Sequence, residues 1–117
     1  MLHLNKEIEV LNGVQLVKLN FHYISKFEID FVNGVTSVQI SSCTNKQDWI
    51  NNNFYSNYVN NFEVNEIPKF HEDSVSFILR KLISIETTVF YDSEIVNDYE
   101  IDIYDRDKMK ELYGVTQ

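Results

Sequence analysis

The chain has 117 residues, of which 44% are hydrophobic and 14% aromatic, and it carries 18 acidic against 10 basic side chains for a formal charge of −8. This length suits a single domain with one core, and the apolar content excludes a disordered tail. The negative charge, with Arg80 and Arg106 the only arginines, argues against general nucleic-acid binding and against anionic membranes, since both require clustered Lys and Arg. No apolar run reaches transmembrane length, and the first residues lack the basic start and apolar stretch of a signal peptide. Cys43 is the only cysteine, so no internal disulfide or multi-cysteine metal site is expected, and a cytosolic setting is, which includes a particle assembled there.

Residues 2–24 read as a β-hairpin turning at Asn12-Gly13, a favoured type I′ pair. That turn sets Ile8 opposite Val17, Leu4 opposite Phe21 and Leu2 opposite Tyr23, with Glu7 meeting Lys18 as an opposite-charge pair on the other face. His22 alternates away from Phe21 and Tyr23 and is expected at the surface or an interface. A bend at Ser25 leads into a second hairpin over 27–42, turning at Asn33-Gly34. Its register places Phe31 opposite Thr36, Ile29 opposite Val38 and Phe27 opposite Ile40, giving one apolar and one polar face. Two consecutive hairpins make a four-stranded antiparallel meander with one face in need of cover.

The alternation breaks over 41–57. Residues 45–50 fit either one helical turn or a bulged strand extension, and the asparagine run that follows reads as a loop. Trp49, Phe54, Tyr55 and Tyr58 form an aromatic cluster, either buried under that loop or serving as an anchor for a partner. Residues 58–64 alternate again, with Tyr58, Phe62 and Val64 on one side, and Pro68 stops this fifth strand. Over 71–85, Val75, Ile78, Leu79 and Leu82 recur at helical spacing behind Asp73 or Ser74 as N-cap; a strand is the alternative there, and the helix is favoured. Residues 87–91 read as a strand, 94–98 as a turn and 99–104 as a strictly alternating strand with Tyr99, Ile101 and Ile103 on one face. Asp105 then caps a short helix ending at Tyr113, with Gly114 following it. The expected fold is α+β: an antiparallel β-meander or small β-sandwich with one packing helix and a short C-terminal helix. The expected organisation is a single domain over 1–117, with a β-rich core at 1–91, its helix at about 72–85, and an acidic strand–helix extension at 92–117.

Little in the chain points to catalysis. His3, His22 and His71 lack metal-ligand spacing to one another or to Cys43, and nothing around Cys43 marks a reactive thiol. Glu94, Asp98, Glu100, Asp102, Asp105 and Asp107 form an acidic tract without the pattern of a calcium loop. It reads as a solvated face, with a basic partner surface or a loosely held divalent cation as alternatives. The expectation is a protein that is not an enzyme and uses no cofactor, metal or small-molecule substrate.

The layout resembles small bacteriophage virion proteins of the tail, baseplate and neck. They begin with a short strand and turn like Leu4-Asn5-Lys6-Glu7-Ile8-Glu9-Val10-Leu11-Asn12-Gly13-Val14, and continue with an aromatic strand like Phe21-His22-Tyr23-Ile24. A hairpin strand like residues 35–42, an irregular insertion, another strand and a late helix like residues 74–82 follow. The resemblance covers about residues 4–85 and lies in the pattern of elements. It implies a structural part of a virion, assembled in the bacterial host cytoplasm, whose partners are other virion proteins and copies of itself, with no nucleic-acid contact and no membrane insertion. Partner contacts are expected from Trp49, Phe54, Tyr55 and Tyr58 and from Tyr99, Ile101, Ile103 and Tyr104, because so short a chain has more aromatic area than it can bury. The alternative function is a small acidic phage or bacterial inhibitor of a host enzyme.

Overall fold

The computed structural model describes residues 1–50 and 58–98. Among these, five strands form one antiparallel sheet: β1 (Leu2–Asn12), β2 (Gln15–Asp30), β3 (Val35–Cys43), β4 (Tyr58–Val64) and β5 (Glu94–Asn97), in the spatial order β4-β3-β2-β1-β5. Two helices join them, the short α1 (Lys46–Ile50) and α2 (Ser74–Ser84). The fold is α+β. Strands β1 to β4 follow one another as a meander, and the chain returns after α2 to lay β5 against the start of β1.

The 16-residue β2 organises the sheet. Where the sequence suggests a bend at Ser25 between two hairpins, the strand runs on through a β-bulge: Ile24 pairs with Ile40 and Lys26 with Gln39, leaving Ser25 over. The Ser25 hydroxyl holds the bulge by bonding to Gln39, lying 3.1 Å from its backbone carbonyl oxygen and 2.9 Å from its side-chain oxygen. One extra residue exchanges the two sides of the strand. Ile24 lies on the α2 side before the bulge, and Phe27, opposite Val38, lies on that side after it.

Both turns differ from the expected type I′ pairs. In the first hairpin Asn12 pairs with Gln15, so the two-residue loop is Gly13-Val14. Gly13 has φ +69° and Val14 has no positive φ, the pattern of a type II′ turn with glycine first. In the second, Asp30 pairs with Val35 across a four-residue loop, 31–34. The Asp30 carboxylate accepts from the backbone N–H groups of Val32 at 3.0 Å and Asn33 at 3.1 Å, and from the Asn33 side chain at 2.7 Å. Those bonds hold 31–33 at negative φ and leave the left-handed step to Gly34 alone, at φ +67°. Near each turn the register is therefore two residues from the expected one, with Ile8 opposite Leu19 and Phe27 opposite Val38. Past an irregularity between Asn5 and Ile8 it is one residue off, with Leu4 opposite His22 and not Phe21. A slip of two preserves the faces of a strand, which is why the alternation still reads correctly near each turn. Lys18 pairs with Glu9 in the ladder, and its ammonium still reaches diagonally to Glu7 at 3.9 Å.

α2 forms where the apolar spacing places it. The Asp73 carboxylate accepts from the Ser76 backbone N–H at 2.9 Å, and Phe77, Ile78, Leu79 and Leu82 are buried against the sheet. Residues 87–91, expected as a strand, are a series of turns instead. The Thr88 hydroxyl bonds to the Leu82 and Ile85 carbonyls at 2.8 and 3.1 Å, and the Ser93 hydroxyl to the Phe90 carbonyl at 2.7 Å. Hydroxyls bonded to local backbone carbonyls override the strand propensity of Thr-Thr-Val-Phe-Tyr and fold Phe90 into the core. Residues 94–97, expected as part of a turn, are β5, so the sheet extends past the boundary expected at residue 91. The expected strand over 99–104 and helix over 105–113 lie outside the described residues.

Candidate functional site

The sheet is covered on both faces at its centre. On one face α2 packs on Leu4, Ile8, Val38 and Ile40, with Phe90 closing the cluster. On the other, α1 brings Trp49 and Ile50 onto Phe21, Tyr23 and Cys43. α1 is the single helical turn allowed by the sequence: the Asn45 side-chain oxygen accepts from the Asp48 N–H at 2.9 Å, and its carbonyl oxygen from the Trp49 N–H at 3.2 Å. Trp49 stands edge-on to Tyr23 at 6.0 Å and tilted to Phe21 at 6.1 Å, while His3 lies on Phe21 at 4.4 Å. Such aromatic pairs add about 0.5–1.5 kcal/mol each beyond area burial.

The expected interface residues separate accordingly. Trp49 is fully buried and is a core residue, not an exposed anchor. Tyr58 starts β4, half-buried opposite Ser42. Phe54, Tyr55, Tyr99, Ile101, Ile103 and Tyr104 lie outside the described residues. Of the acidic tract, Asp98 is tied locally: its carboxylate meets Lys46 at 2.9 Å and its carbonyl oxygen accepts from the N-terminal ammonium at 2.6 Å.

Among the described residues, the side-chain pair with a catalytic look is His22 and Ser42. His22 Nε2 lies 2.7 Å from the Lys6 carbonyl oxygen, which can only accept, so Nε2 carries the proton and Nδ1 accepts from the Ser42 hydroxyl at 2.6 Å. That is the tautomer a serine nucleophile needs. Both residues, however, are sealed in the sheet, with His22 at 0% and Ser42 at 3% exposure, and the Phe90 ring lies 5.0 Å from the imidazole. No substrate reaches them. Burial holds the His22 pKa below its ordinary value, against the Lys6 carbonyl, which favours the cation. The pair is a satisfied core network. The expectation of a surface His22 fails because the ladder makes His22 opposite Leu4 and Ser42, on the α2 side of the sheet.

Two surface hollows are open and of mixed charge. One, of about 510 Å³, lies over Lys26, Glu28, Gln39, Asn61 and Glu63. In the other, of about 680 Å³, the charges neutralise one another, Lys81 with Glu66 and Arg80 with Glu72. Among the described residues no group of three His, Cys, Asp or Glu is placed to hold a metal ion, and no helix is long and apolar enough to cross a membrane.

Five exposed apolar side chains lie at the two ends of β2, while others, such as Phe70, lie elsewhere on the surface. At the first, Leu11 pairs with Leu16 and Val14 forms the turn, all three exposed. At the second, Phe31 and Val32 stand out from the 31–34 loop. Sequence reasoning missed the second because it placed Phe31 within the apolar face of its strand, and it gave Leu11, Val14 and Leu16 no role. Fold and surface thus define an α+β domain built on a single meander sheet with apolar hairpin tips. Compared with protein-family models, curated proteins and solved structures, nothing matches the chain.

Proposed function

We propose that the chain is a non-enzymatic structural component of a bacteriophage virion, in the tail, baseplate or neck, where it contacts other virion proteins and copies of itself. The observation that carries this reading is the distribution of exposed apolar surface. The chain forms a thin plate of 46 × 35 × 21 Å with a closed centre, and its exposed apolar side chains include those of both hairpin tips, where contacts with neighbours are easily made. The resemblance of the element pattern to small virion proteins agrees with it. In this reading the protein uses no cofactor, substrate, nucleic acid or membrane. Quantitative mass spectrometry of purified particles tests it: the chain is expected at a fixed multiple of copies per particle, and its absence from particles would overturn the proposal.

The charge of −8 favours a second reading, an acidic inhibitor seated on a basic cleft of a host enzyme. An affinity pull-down from infected cells separates the two. An inhibitor is recovered with one host enzyme, a virion part with particle proteins.

A further inference from the structure

Beyond residue 20 of β2 and residue 5 of β1, the sheet narrows to two strands. β5 pairs only with Leu2–Asn5 and β3 pairs with β2 only from Phe21 onward, so among the described residues the ladder from Ile8–Leu19 to Asn12–Gln15 stands alone. This five-rung ribbon is about 17 Å long. Ile8 and Leu19 anchor its base in the interior, while Leu11, Val14 and Leu16 at its end are solvent-exposed. A two-stranded ribbon is marginally stable by itself in water, and an apolar end adds to that cost unless something covers it. At the opposite end of β2 the 31–34 loop also presents apolar side chains, and the Asp30 carboxylate already fixes its shape, which lowers the ordering cost of any contact made there.

We infer that copies of this chain join head to tail, the β1–β2 tip of one seating on the 31–34 loop of the next. The inference deepens the virion proposal and rests on it, by naming the contact through which copies meet. Charge selects both the occupant and the geometry. In a chain of net charge −8, residues 11–16 and 31–34 contain no ionisable side chain, so contact between them brings no like charges together. The tips lie at opposite ends of β2, whose 16 residues would span about 50 Å if straight, comparable with the 46 Å longest extent. Copies joined end to end keep most of their charged groups apart by more than the Debye length of about 8 Å at physiological salt, whereas stacking across the 21 Å dimension would lay whole acidic faces within it. One kind of joint covers both apolar tips, and a heterologous joint of this kind builds rings or fibres. The contact is small, so association is expected to be weak in solution and to gain strength from repetition in an assembly.

Sedimentation velocity on the purified full chain, from about 10 µM to 0.5 mM, with two tip variants, tests the inference. One variant carries Leu11→Ser with Leu16→Ser and the other Phe31→Ser with Val32→Ser; no charge is added, and thermal melts check that each remains folded. The wild type is expected to sediment faster as concentration rises, each variant alone to stay monomeric, and the equimolar mixture to form a heterodimer and nothing larger, since it has one intact joint. A monomeric wild type, a folded variant that still associates alone, or a mixture that stays monomeric would overturn the head-to-tail contact. A monomeric wild type that is nonetheless found in purified particles would overturn the contact and leave the virion reading standing.

Discussion

The centre of the sheet and its two ends are built on opposite terms. At Phe21 and His22 the strand β2 has a neighbour on each side and a helix over each face, and the side chains there lie among Leu4, Ile40, Trp49 and Leu79. Six residues back along β2, at Leu16, the same chain is a two-stranded ribbon whose Leu11 and Leu16 face water. The lesson is about where stability comes from. The centre is held by burial on both faces, and the tips contribute almost nothing to folding, which leaves them available for contact.

Truncation gives the largest contrast. Trp49→Ala and Leu79→Ala each remove a fully buried side chain, from opposite faces of the sheet, and are expected to cost about 3–5 kcal/mol in chemical denaturation. Leu11→Ala is expected to cost less than about 0.5 kcal/mol. Comparable losses at Leu11 and Leu79 would break the distinction between centre and tip.

His22 sharpens it with pH. His22→Ala leaves the buried Ser42 hydroxyl and Lys6 carbonyl without their partner and opens a cavity, at an expected cost of about 3 kcal/mol. Burial lowers the pKa of both His22 and His3 below the ordinary 6.5. Below 6.5 the unfolded chain therefore binds protons that the folded chain does not. This share of stability is complete above about pH 6.5 and declines as pH falls toward the folded-state values. Denaturation midpoints measured across that window should fall with acid in the wild type, and less steeply in His3→Phe.

A smaller effect probes the turns. Gly34→Ala meets nothing within 4 Å but must hold φ +67°, so it is expected to cost about 1–2 kcal/mol from backbone strain alone. A neutral result would show that the loop relaxes without affecting the centre.

Much of this layout is legible in the sequence. The α2 stripe from Val75 to Leu82 is read directly, with Asp73 one of its two candidate caps, as is β4, because spacing and capping are local signals. Three of the features that escape turn on a side-chain hydrogen bond. A bulge at Ser25 looks, in sequence, like the end of one strand and the start of another, and only the Gln39 partner makes it one strand. Asn33-Gly34 signals a tight turn, but Asp30, three residues earlier, captures the loop's N–H groups and lengthens it. Residues 87–91 have the composition of a strand, and the Thr88 hydroxyl settles them otherwise through carbonyls of the preceding helix. In each case a side-chain hydrogen bond to backbone decides between conformations that propensity leaves close in energy. Of the candidate surface, the aromatic excess was legible but not where it would go: Trp49 is core, and the apolar ends are Leu11, Val14, Leu16, Phe31 and Val32.

Amide hydrogen exchange of the wild-type chain at low and high concentration tests the contrast most directly. At low micromolar concentration the slowest amides are expected in 22–24, 38–40 and α2, with residues 11–16 and 31–34 exchanging fast. On concentration, those two segments alone should gain protection. Protection at the tips equal to the centre in dilute solution, or a gain confined to the β4 edge, would contradict the account.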